Sequence, residues 1–202
     1  MRPKALERGK MGRPTGFSKE EALEAAMRVF WQKGYEGASL SELTEAMGIN
    51  RSSLYAAFGD KEALFQQALD RYATGPLAFV QPAVEKPTAR EFIQALLEGS
   101  VAFLSDPTHP RCCFSVQALA TGDESESVRR SVTEWRNAWE RTVKERLRRA
   151  RLAGDLPKGV NPADFAKYLC TVWTGLAVQA ASGATRSELA RVVEIVVRSL
   201  PF

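Results

Sequence analysis

Between Ser18 and Tyr72 the chain is punctuated as a run of short helices, and the tightest punctuation falls at Ala46-Met47-Gly48-Ile49-Asn50-Arg51-Ser52-Ser53. Apolar positions at helical spacing run up to Gly48, the chain reverses over Ile49 and Asn50, and a very short helix with Leu54, Tyr55 and Phe58 comes next. Two helices joined by so short a turn make a helix-turn-helix, which seats its second helix in the major groove of double-stranded DNA.

The neighbouring segments carry their own start signals. Ser18-Lys19-Glu20-Glu21 and Ser39-Leu40-Ser41-Glu42 both have capping-box spacing. After the first, Ala22, Leu23, Ala26, Met27, Val29 and Phe30 recur on one face until Lys33-Gly34 ends the helix. After the second, Leu40, Leu43, Ala46 and Met47 point inward. Asp60-Lys61-Glu62 opens a fourth helix whose inner face is Leu64, Phe65, Ala68, Leu69 and Tyr72.

Beyond Gly75-Pro76 and the stretch from Pro82 to Pro87 the pattern stays helical. Thr88-Ala89-Arg90-Glu91 caps a helix to about Ser105, and Arg111 to Thr121 reads as a short buried one. A long amphipathic helix starts at Gly122-Asp123-Glu124 and reaches about Ala153. Asn161-Pro162 opens a helix to about Ser182, and a last one spans about Ser187 to Leu200. The expected fold is all-α with about nine helices. Residues 1–16 form a flexible basic arm, 17–74 the DNA-binding domain, and 75–202 a ligand-binding and dimerisation domain.

Charge placement agrees with a DNA partner. In residues 1–16, five basic side chains face Glu7 alone, a local +4 that equals the net charge of the whole chain. No apolar run approaches a membrane span, and the basic N-terminus lacks the apolar core of a secretory signal. Three cysteines are too few and too odd for a disulfide scaffold, which fits a reducing cytoplasm.

Residues 13–72 resemble the DNA-binding domain of the TetR/AcrR family of bacterial transcriptional regulators. The match rests on Ala25 to Phe30 with Gly34-Tyr35, Ser39 to Gly48, Ser53-Leu54-Tyr55, Phe58 and Lys61-Glu62-Ala63-Leu64. Arg51, Ser52 and Ser53, with Asn50 before them, lie at the end of the recognition helix that reaches base edges, and Arg51 suits a bidentate contact to guanine. The resemblance implies that Tyr55 offers its hydroxyl to a phosphate. Lys61 and Ser39 fit further phosphate contacts, and Arg13 an adjacent groove. Leu54 and Phe58 are core positions. Where many members carry larger residues this chain has Ala56-Ala57, which bears on the operator sequence and not on DNA binding itself.

The same resemblance implies a homodimer and a small-molecule inducer. Leu169, Trp173, Leu176, Val192 and Val196 lie on the apolar faces of the last two helices, which serve either as core or as the interface with the second copy. Phe103, Cys113, Phe114, Gln117, Trp135, Trp139 and Trp173 are the candidate pocket lining, with Gln179 as a second polar anchor, although aromatics at helical spacing also suit plain core.

Cys112-Cys113 comes directly after Arg111, and an arginine and a helix N-terminus both favour a reactive thiolate. Cys113 matches a cysteine found in a branch of the family that includes electrophile and redox sensors; the alternative is two buried, inert thiols. His109, Cys112 and Cys113 make a poor metal site, so no metal or cofactor is expected.

Two other classes are weaker. An enzyme has little to stand on: there is one histidine, and no P-loop, Gly-x-Gly-x-x-Gly or His-Glu-x-x-His pattern. A purely architectural DNA-binding protein needs no large C-terminal helical domain. The expected function is a regulator, first of all a repressor released from a palindromic operator by a small molecule or by cysteine modification, with activation as the alternative.

Overall fold

The computed structural model describes residues 18–120 and 125–202. Among these residues there are ten helices and no strands. The first four, α1 (Lys19–Gly37), α2 (Leu40–Met47), α3 (Arg51–Phe58) and α4 (Lys61–Thr74), make the head. The body consists of α5 (Val80–Val84), α6 (Ala89–Leu104), α7 (Phe114–Ala120), α8 (Glu126–Leu152), α9 (Pro162–Ala181) and α10 (Arg186–Arg198).

Local chemistry sets most of these boundaries. Ser39, Thr88 and Thr185 each close a full capping box with the glutamate three residues on. Ser18, Asn50, Asp60, Ser125 and Asn161 accept a backbone N–H at the starts of α1, α3, α4, α8 and α9. Gly34 breaks the regular course of α1 at φ 71° and ψ −179°, and a further turn carries it to Gly37. Ala46, expected inward, is exposed, because the short α2 buries only Leu43 and Met47.

The helix the sequence pattern missed is α5. Its five residues include Pro82, which reads as a breaker but is tolerated in a first turn, where no intrahelical N–H bond is required. The buried guanidinium of Arg146 on α8 anchors the end of α5 and the turn beyond it, donating to the carbonyls of Val84 at 3.0 Å, Lys86 at 2.8 Å and Pro87 at 3.3 Å. Helix α7 is shorter than expected, so Arg111, Cys112 and Cys113 belong to the loop before it. The expected start of α8 at Gly122-Asp123-Glu124 lies outside the described residues; the helix runs from Glu126 behind its Ser125 cap.

Head and body share one aromatic core. Phe65 of α4 meets Phe30 of α1 edge-on at 5.2 Å and Phe114 of α7 at 5.4 Å. Tyr72, at the inner end of α4, meets Trp31 at 5.0 Å and Phe114 at 5.6 Å. The loop before α7 is also tied to α1: Arg28 donates to the Thr108 carbonyl at 2.6 Å, Trp31 Nε1 donates to the Cys112 carbonyl at 2.8 Å, and His109 stacks on the Trp31 ring. This loop is thus bonded directly to the head. Because Phe65 is fully buried between both parts, Phe65→Ala should cost about 3–5 kcal/mol of stability, read as a lowered urea midpoint.

Candidate nucleic-acid interface and sensor cavity

The recognition helix is held by its ends and by two side chains. Gly48 takes the left-handed conformation, φ 64°, that reverses the chain after α2. The Asn50 side-chain oxygen accepts the Ser53 N–H at 2.8 Å and the Ser52 hydroxyl at 2.7 Å. That oxygen is thus occupied by capping. Leu54 and Phe58 are buried, so α3 is pinned along one face. Its other face exposes Arg51, Ser52, Ala56 and Tyr55, the last at 48%. Its first turn contains no acidic residue, so the positive end of the helix dipole is unopposed there.

Neighbouring polar groups frame this face. Arg51 donates to Ser41 Oγ on α2 at 3.0 Å, which draws the guanidinium across the front of both helices. Lys61, at the start of α4, holds its ammonium 4.3 Å from the centre of the Tyr35 ring. The Ser39 hydroxyl donates to Glu42 at 2.8 Å and accepts the Glu42 N–H at 3.2 Å while the residue stays exposed. The Lys33 ammonium pairs with Glu42, and this partner together with the Ser39 groups holds the Glu42 carboxyl down at about 2. Arg13 lies outside the described residues.

A second candidate site is a small cavity in the body. Its volume is about 40 Å³, and it brings together Cys113, Trp135, Trp139 and Trp173 with Ser115, Arg136, Glu140, Cys170 and Thr174. The polar members were missed because Arg136 and Glu140 read as the solvated side of an amphipathic helix. Three expected lining residues lie elsewhere. Phe103 and Phe114 do not line the cavity: Phe103 packs against Trp31 and His109, and Phe114 between Phe65 and Tyr72. Gln117, half-buried on α7, is likewise not in the lining. Gln179 lines a wider outer cleft of about 450 Å³ between α8 and α9, which shares Arg136, Glu140, Cys170 and Thr174 with the cavity.

The thiols differ from the expectation in one respect. Arg111 donates to the Ala184 carbonyl at 2.7 Å and so is engaged with the α9–α10 loop. Burial pushes the Cys112 thiol up to about 11, so it is not the activated member of the pair. Cys113 is 2% exposed, and its sulfur accepts the Tyr72 hydroxyl at 3.3 Å and lies 3.3 Å from Ser115 Oγ. The Tyr72 oxygen in turn accepts the Phe114 N–H at 3.4 Å.

The apolar faces of the last two helices also resolve. Leu169, Trp173, Leu176 and Val196 are buried within the protomer, because α9 and α10 pack on α6 and α8, and they leave little surface exposed. Val192 remains exposed, at 45%. With Tyr168, Val178 and Ile195 it gives α9 and α10 four of the six large exposed apolar side chains among the described residues.

A capped, exposed recognition helix on a helical body defines a helix-turn-helix DNA-binding protein with a separate all-α domain. Residues 22–68 match the model of bacterial regulatory proteins of the tetR family, and residues 88–196 match the tetracyclin repressor-like C-terminal domain. The chain belongs to the TetR family. It is 30% identical to the HTH-type transcriptional repressor ComR of Escherichia coli, over 94% of this chain and 92% of that one. It is also 30% identical to the repressor AcnR of Corynebacterium glutamicum, over 91% and 92%. A cysteine mutant of the TetR family regulator CifR, solved with 26-base-pair operator DNA, is 42% identical, with a TM-score of 0.88 over 94% of this chain and all of that one.

The Glu42 clasp carries a pH signature. Its carboxyl is depressed on folding, so its stabilisation is complete above the ordinary value of 4.5 and is lost as the pH falls through about 2. The Tm difference between the native protein and Glu42→Gln should therefore be constant above about pH 5 and vanish near pH 2 in thermal melts.

Proposed function

We propose that this protein is a dimeric transcriptional repressor that leaves a palindromic operator when Cys113 is covalently modified. On this reading residues 17–74 read DNA, with the basic arm of 1–16 and Arg13 reaching an adjacent groove, and residues 75–202 sense and dimerise. The second copy docks on the exposed apolar face of α9 and α10, which carries Tyr168, Val178, Val192 and Ile195. Such a dimer sets two recognition helices on successive turns of the duplex, about 34–36 Å apart. Arg51, Ser52 and Ser53 meet base edges, with Asn50 contributing the amide nitrogen its cap leaves over. Tyr55, Lys61 and Ser39 hold phosphates.

The observation that carries the thiol trigger is the contact between Cys113 Sγ and the Tyr72 hydroxyl. Tyr72 belongs to α4, which begins at Lys61 beside the recognition helix. An adduct on Cys113 has no room in a space of about 40 Å³, so it must displace Tyr72 and the loop bonded to Trp31. Both movements reach the head. A coupling of about 1–3 kcal/mol between two conformations suffices for release.

Inside the inner cavity at Cys113, size also favours covalent over reversible sensing. About 40 Å³ holds a few waters, far below the roughly 300–1,000 Å³ of a site for a larger ligand. A ligand of four heavy atoms is bounded near −6 kcal/mol at about −1.5 kcal/mol per atom, a Kd of roughly 4 × 10⁻⁵ M. A covalent bond escapes that ceiling. The thiol is consumed once per event, which is sensing and not turnover, and the sparse, odd count of three cysteines supports a cytoplasmic location.

Two experiments test this reading. Genomic fragments retained by the reduced protein should contain a palindrome, and diffuse retention that fades uniformly with salt would replace the regulator by a non-specific binder. On the enriched site Arg51→Ala should relax preference at one base pair, while Tyr55→Phe and Lys61→Ala should weaken binding across all sequences; unchanged affinity in all three would remove α3 as the reading helix. Hydrogen peroxide or iodoacetamide should then lower operator affinity of the native protein by about tenfold or more and leave Cys113→Ser bound. Equal release of that variant would move the trigger from Cys113 to another thiol, Cys112 or Cys170.

A further inference from the structure

Beside Cys113 one charged side chain has only neutral partners. The Arg136 guanidinium of α8 donates to Thr174 Oγ1 at 3.1 Å and to Ser115 Oγ at 3.4 Å, and it takes part in none of the ion pairs among the described residues. The other charge on the cavity wall, Glu140, stands one turn further along α8 and is paired with Lys167 of α9. That pair cancels, which leaves Arg136 as the uncompensated charge. Three tryptophans make up much of the remaining wall, and a charge partly buried against them interacts more strongly with an incoming ion than it would in bulk water.

The placement relative to sulfur is specific. Ser115 Oγ accepts from Arg136 and lies 3.3 Å from Cys113 Sγ, so guanidinium and thiol are separated by a single hydroxyl. Arg136 also lines both the inner cavity and the outer cleft, so it stands where the two meet. A guanidinium presents a planar fork of donors that matches the two oxygens of a carboxylate.

We infer that Arg136 is the specificity-determining residue of the Cys113 site and selects small electrophiles that carry a carboxylate. The carboxylate displaces the hydroxyl partners on the guanidinium, and the electrophilic carbon is then turned toward Sγ. The inference rests on the thiol trigger proposed for Cys113 and adds to it the chemical class of the reagent. Neutral electrophiles of the same size gain nothing from Arg136 and react only at the rate the thiol itself allows.

A matched pair of reagents tests this on the full-length reduced protein. Iodoacetate and iodoacetamide differ in the carboxylate. With either, the sulfur electron pair forms the new C–S bond, the C–I bond breaks, iodide leaves with its electrons, and the thiol proton passes to buffer. The rate of labelling at Cys113 is followed by mass spectrometry with fragment assignment, which separates it from Cys112, and 2-mercaptoethanol supplies the intrinsic ratio of the two reagents. The iodoacetate-to-iodoacetamide ratio at Cys113 should exceed that of 2-mercaptoethanol by about tenfold. It should fall to the mercaptoethanol value in Arg136→Met and recover in large part in Arg136→Lys.

A merely structural role for Arg136 would change both rates together and leave the ratio intact; that result overturns the inference. If Arg136→Met does not fold, the native protein decides alone: a ratio no higher than that of 2-mercaptoethanol also overturns it. Failure of both reagents to label Cys113 would instead remove the thiol reading, and this inference with it.

Discussion

A phenol hydroxyl buried in an aromatic core has to be bonded inside the protein, since water is not there to do it. Tyr72 is such a group. It sits among Trp31, Phe103, Phe114 and Trp135, and burial lifts its ionisation well above the usual phenol range, so it stays neutral and keeps its proton to donate. It donates to Cys113 Sγ and accepts the Phe114 N–H. These bonds fix the start of α7 against the end of α4. One of the contacts that join head to body thus runs through the sulfur of Cys113.

The contacts around this point are arranged in layers. The aromatic layer joins Phe30, Phe65 and Phe114 across α1, α4 and α7, all three fully buried. A polar layer over it consists of the loop before α7, which offers its carbonyls to Arg28 and Trp31. A third set, Ser127 to Glu62 and Gln66 to Ser131, joins α4 to α8. Close packing fixes how near the two parts lie, and the directional hydrogen bonds add a constraint on their orientation.

Some of the molecule could be read from the sequence because local rules suffice there. Leu54 and Phe58 lie one turn apart and are both core, and the boxes at Ser39, Thr88 and Thr185 fix three helix starts. Other features escaped because the rule is not local. Helix α5 has five residues and a proline, and it is held in place by Arg146, some sixty residues away in sequence. Arg136 looks from the sequence like another charge on a helix rich in arginine, and only the packing of α7 and α9 turns it toward a cavity. The apolar faces of α9 and α10 presented the same difficulty, since periodicity gives two hydrophobic stripes without saying which one meets the protein's own core.

Local sequence was enough for the helical class, for the capped turn from Gly48 to Asn50 that sets up α3, and for the family to which those residues belong. These depend on backbone conformation and side-chain caps within a few residues of each other. Packing in three dimensions was needed to learn that Leu169, Trp173, Leu176 and Val196 are interior while Val192 is surface, that Phe103 and Phe114 are core, and that Cys113 rather than Cys112 faces a cavity. The physical reason is burial: whether an apolar or polar side chain meets protein or water is set by which helices pack together, and no local pattern encodes that choice.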